Sequence, residues 1–196
     1  MRSTGLSPLL GLAFVLPALA LASCTSNTTP VIYLDLDYQV RCLDCEPRGP
    51  DDPSREVHNV NGEDGFNLEC SVTKSKDGVR RLTFLAEHLN PDKPSSNYSL
   101  KISQGNLDED ESENICEVKV VESANTYSGN ASGEDPNPDD GAPCQVKFSE
   151  KDGVIEGSVY CIKIPNSANM STTRYVVATG TRTDPASFKI YGCRGL

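Results

Sequence analysis

Eight cysteines and only two histidines, His58 and His88, carry most of the reactive chemistry in this 196-residue chain. Such a set can form crosslinks, run redox exchange, ligate zinc or act as a nucleophile. Cys42-Leu43-Asp44-Cys45 has the spacing of a redox or zinc pair. A redox pair needs its first thiol at a helix N-terminus, where the local field stabilises the thiolate. Here Glu46-Pro47-Arg48-Gly49-Pro50 follows instead, and Asp44 and Glu46 would raise the thiol pKa. A structural zinc site needs four ligands, and the chain offers neither a second closely spaced cysteine pair nor a histidine pair. Disulfides are the expected chemistry, with no metal and no cofactor.

The acidic stretches lead to a similar expectation. Asp135-Pro136-Asn137-Pro138-Asp139-Asp140-Gly141 starts with the acid spacing of a calcium loop, but its glycine comes one position late and no bidentate glutamate follows. It reads as a solvated loop, as does the run Asp108-Glu109-Asp110-Glu111. No nucleophile elbow, H-E-x-x-H helix or phosphate-binding glycine loop occurs, so no catalytic residue is assigned and no enzyme is expected. Asp35 and Asp37 share one strand face with Tyr33, where a solvated sheet surface explains all three. A net charge of −10 repels phosphate backbones and argues against nucleic acid as a partner.

The N-terminus gives the address. Arg2 precedes an apolar run beginning at Leu9 that ends in Ala20-Leu21-Ala22-Ser23-Cys24, the layout of a secretory signal peptide over residues 1–23. Leu21-Ala22-Ser23-Cys24 resembles the lipobox of bacterial lipoproteins. That resemblance implies cleavage before Cys24, diacylation of its thiol, and a polar tether over 24–30 holding the domain 31–196 to a membrane. Thr25, a non-acidic residue after the cysteine, fits outer-membrane delivery within that class. Lipidation removes Cys24 from pairing and leaves an odd number of thiols in the domain, so one is expected spare. Ala20-Leu21-Ala22 also fits an ordinary A-x-A cleavage site, which would give a secreted, non-lipidated, disulfide-rich protein.

These residues must be positioned by strands. Ile32, Leu34, Leu36, Tyr38, Val40 and Cys42 alternate with polar residues, the period of a half-buried strand. Lys76-Asp77-Gly78 is read as a three-residue hairpin loop that sets Leu68, Cys70 and Val72 against Ala86, Phe84 and Leu82. Asp152-Gly153 is read as a type I′ turn that sets Val146 against Val159, Phe148 against Gly157, and Cys144 against Cys161. A disulfide between Cys144 and Cys161 follows from that register. Cys42 or Cys45 with Cys193, and Cys70 with Cys116, complete the expected pairings. Further strands are read at Tyr98–Ser103, Ile115–Val121, Thr173–Ala178 and Ser187–Tyr191, with surface loops at 104–114 and 123–143. Together these specify an all-β, antiparallel sandwich of about eight or nine strands, stapled by disulfides. The expected role is a non-catalytic envelope module with a protein or glycan ligand, or a structural part; a hydrolase with an unrecognised acidic site is the third class.

Overall fold

Asp152 (φ 54°) and Gly153 (φ 78°) supply the positive φ values that a two-residue type I′ turn demands. They join β8 (Cys144–Lys151) to β9 (Val154–Pro165) with Cys144 opposite Cys161, Val146 opposite Val159 and Phe148 opposite Gly157. The structure, a computed structural model, describes residues 31–42, 54–76, 78–107, 116–181 and 183–196. The leader, Cys24 with its tether, Cys45 and the run 108–111 lie outside the described residues.

The other glycine-turned hairpin joins β3 (Phe66–Lys74) to β4 (Arg80–His88), with Leu68, Cys70 and Val72 opposite Ala86, Phe84 and Leu82. Its loop closes where Ser75 N donates to Val79 O at 2.9 Å and Gly78 takes φ 93°. In β1 (Tyr33–Arg41), Leu34, Leu36, Tyr38 and Val40 are all buried, with Ile32 just before them. The remaining strands are β2 (Ser54–Val60), β5 (Tyr98–Asn106), β6 (Cys116–Glu122), β7 (Asn125–Ser132), β10 (Thr173–Val177) and β11 (Ala186–Tyr191).

One continuous sheet contains them all, in the order β2-β1-β10/β11-β9-β8-β7-β6-β5-β4-β3. β10 and β11 share a lane. β1 sets Gln39 opposite Val177 and Leu36 opposite Phe188, and β9 flanks both strands on the other side. The chain leaves that lane after Val177 and re-enters it at Ala186. Every strand pairing is antiparallel except β7 with β8, where Ala131 lies opposite Cys144 in parallel. The sheet turns over on itself around that junction. Phe84 on β4 lies 5.1 Å from Phe188 on β11, and Arg80 on β4 bridges to Glu150 on β8 at 3.1 Å. The fold is therefore all β and disulfide-stapled as expected, and the described residues form one folded-over sheet of eleven strands against the eight or nine expected.

Two strands escaped the sequence reading. β7 falls in the stretch 123–143 expected to be loop, because its inward positions are Tyr127, Gly129 and Ala131. The alternation exists, but two of its members are too small to read as apolar. Gly129 has to be small: a Cβ there would stand 2.5 Å from Pro143 Cγ. β2 is mostly polar, its two valines Val57 and Val60 falling three residues apart and out of strand alternation, and it sets His58 opposite Asp35.

Two expected disulfides are also corrected. Cys193 bonds to Cys70, not to Cys42 or Cys45, and Cys70 does not bond to Cys116. β5 and β4 lie between β6, which carries Cys116, and β3, which carries Cys70. At roughly 4.8 Å per lane that separation exceeds the reach of a disulfide. The segment after β11 instead crosses to the free edge of β3, where Val72 N donates to Arg194 O at 2.7 Å.

Two glycines seat aromatic rings. A Cβ at Gly157 would fall 2.3 Å from Lys147 O and 2.6 Å from Phe188 Cζ, so the strand ladder itself would have to move. A Cβ at Gly105 would meet Phe148 Cζ at 2.3 Å, and that half-buried ring can swing outward. Gly157→Ala should therefore cost about 3 kcal/mol in urea unfolding and Gly105→Ala about 1 kcal/mol. Equal costs would show that the ladder at Gly157 is not the constraint.

Candidate functional site

The outer face of four neighbouring strands collects the polar side chains that alternation turns away from the core. Register places Asp35, Lys189, Glu156 and Ser149 in one row across β1, β11, β9 and β8. Ser187, Ser158 and Lys147 form the next row. Lys189 Nζ donates to Glu156 Oε1 at 2.7 Å, and that hydrogen bond raises the lysine pKa, with Tyr191 and Asp35 adding charge nearby. Both partners are about half exposed, so the bridge orders the surface more than it stabilises the fold.

A hollow of about 460 Å³ lies over these two rows. Ser149, Ser158 and Ser187 line it, and their hydroxyls make no hydrogen bond among the described residues. Tyr33 stands directly opposite Tyr191, with ring centroids 5.5 Å apart and planes tilted by 54°. The sequence shows Tyr33 only beside Asp35 and Asp37, because Tyr191 lies far along the chain and only register joins the two rings. Asp35 lines the hollow, whereas Asp37 accepts a hydrogen bond from the Thr179 hydroxyl. The two acids thus have separate surroundings.

A second polar cluster is internal. Arg55 on β2 reaches across the fold to Glu122 on β6 in a bidentate pair, Nη2 to Oε2 at 2.5 Å and Nε to Oε1 at 3.2 Å. Its guanidinium sits 4.4 Å from the centre of the Tyr98 ring, on which His88 stacks at 5.1 Å. Burial works against the Arg55 charge, but the Glu122 hydrogen bond and charge outweigh it and raise the pKa. Burial pushes the hydroxyls of Tyr38 and Tyr98 up, and Glu122 adds to both shifts. Tyr38 Oη and His88 Nδ1 are buried without a hydrogen-bond partner among the described residues. His88 packs between Phe66 and Tyr98, and the arrangement is that of an interlayer clamp.

Cys144 and Cys161 are bonded across their hairpin with Cα atoms 4.0 Å apart, both fully buried. Cys42 is disulfide-bonded as well. Cys116 is a free thiol, buried at the start of β6, and burial pushes its pKa up to about 12. The loop Asp135–Gly141 satisfies itself locally: Asp135 accepts from Gln145 Nε2 at 3.3 Å, and Asn137 Oδ1 accepts from Asp139 N at 3.1 Å. Among the described residues no three His, Cys, Asp or Glu side chains are grouped to hold a metal ion. Compared with family models, curated proteins and solved structures, the chain matches none of them.

The Cys116 thiol gives stability a defined alkaline dependence. Its folded pKa of about 12 lies above the ordinary value of 9.0, so the folded chain holds this proton more tightly than the unfolded chain. The contribution is complete below pH 9.0 and is lost as pH rises toward about 12, by about 1.4 kcal/mol per pH unit at most. Urea titrations across that range should show a steeper loss for the wild type than for Cys116→Val. Parallel slopes would mean the thiol is not buried in this way.

Proposed function

We propose that the chain is an exported lipoprotein of a bacterial envelope, anchored through Cys24, whose β domain is a non-catalytic binding or structural module. The observation that carries this reading is the buried free thiol of Cys116. Lipidation takes Cys24 out of pairing and requires one more unpaired cysteine, and Cys116 supplies it. The bonds Cys144–Cys161 and Cys70–Cys193 support an oxidising compartment outside the cytoplasm. Leu21-Ala22-Ser23-Cys24 supplies the acylation signal, and the tether 24–30 keeps the domain close to the bilayer at no more than roughly 3.6 Å per residue.

The partners in this reading are the membrane, through the anchor, and a protein or glycan met by the domain. Each buried methylene contributes about 0.8 kcal/mol, so two acyl chains hold the domain stably where one would not. The anchor is read most directly by metabolic labelling of cells with a palmitate analogue. Wild-type protein is expected to carry the label and fractionate with membranes, while Cys24→Ser carries none. An unlabelled, soluble wild-type product would overturn the lipoprotein reading and leave the secreted disulfide-rich form.

A further inference from the structure

We propose that the hollow on the outer face of β8, β9, β11 and β1 binds a neutral oligosaccharide. This names a ligand class for the binding module inferred above and rests on that reading. The first argument is charge. Asp35 and Glu156 are balanced by Lys147 and Lys189, so the hollow is neutral although the chain carries −10. With these charges balanced, neither an anionic nor a cationic ligand gains a net attraction to offset its lost hydration. An uncharged ligand meets no such penalty.

The second argument is hydrogen-bonding capacity. Ser149, Ser158 and Ser187 come from three different strands, and their hydroxyls are unpaired among the described residues. Each can both donate and accept, as sugar hydroxyls require of their partners.

The third argument is the aromatic border. Tyr33 and Tyr191 stand two residues along their strands from Asp35 and Lys189, roughly 6.7 Å away. Their rings offer an apolar body for the C–H face of a pyranose, and Tyr191 remains 38% exposed. A protein partner would seek a charge-depleted centre, and four charged side chains line this hollow. Its volume of about 460 Å³ falls within the usual small-ligand range.

The test is calorimetric titration of the purified full chain with cellohexaose, maltohexaose, mannohexaose and chitohexaose, and with an anionic galacturonate hexamer. Saturable binding of at least one neutral hexasaccharide is expected, with none for the anionic one. Ser158→Leu, Ser187→Leu and Tyr191→Ala should each weaken it about tenfold or more, with melting temperatures near wild type. Lys119→Leu, exposed on β6 away from the hollow, should bind as wild type does. No binding by any neutral hexasaccharide, preference for the anionic one, or unchanged affinity in all three hollow variants would overturn the proposal. Cys24→Ser should bind as wild type does, so failure of the anchor and failure of the hollow are read separately.

Discussion

Phe84 and Phe188 meet across the interior although five strands separate β4 from β11 in the hydrogen-bonded order. A sheet this wide has an apolar face that must be covered, and here its own far half is the cover. Everything else follows from that closure. The chain has no tryptophan and only five phenylalanines, so close approach of the layers matters more than bulk. Gly105 and Gly157 make the approach possible by leaving space where Phe148 and Phe188 lie. The clamp from Arg55 to Glu122 crosses the same interior at another place and ties the otherwise single-sided edge strand β2 to the opposite layer.

The two described disulfides act on this closure at different ranges. Cys144–Cys161 spans a sequence separation of 17 and fixes one hairpin, while Cys70–Cys193 spans 123 and ties β3 to the segment beyond β11. In the chain-entropy model loops of these lengths contribute about 3 and about 5 kcal/mol, so the longer bond constrains the unfolded chain more. With the inner face committed to packing, the outer face is left for chemistry. Asp35, Glu156, Lys189 and the serines beside them are held by strand register rather than by loops, which keeps the hollow's shape independent of loop motion.

Local pattern and turn chemistry made part of this legible. The Asp152-Gly153 turn, the loop ending at Gly78 and the alternation through Tyr38 are set by residues close in sequence, and strand pairing at those places matches the reading. β7 was hidden because two of its inward residues, Gly129 and Ala131, are small, Gly129 for the sake of Pro143 and Ile164, which arrive from elsewhere in the chain. β2 was hidden because it is mostly polar and because the partner of Arg55, Glu122, is 67 residues away. The pairings of Cys70 and Cys193, and of Tyr33 with Tyr191, depend on lane order, which no window of sequence contains.

One sheet closes on itself, and the bond between its distant parts reads that closure most directly. Proteolytic mapping of the full chain without reduction, after blocking free thiols, should recover one crosslinked peptide joining Cys70 to Cys193 and another joining Cys144 to Cys161. Cys70 linked to Cys116, or Cys193 linked to Cys42 or Cys45, would contradict the closure and the strand order built on it.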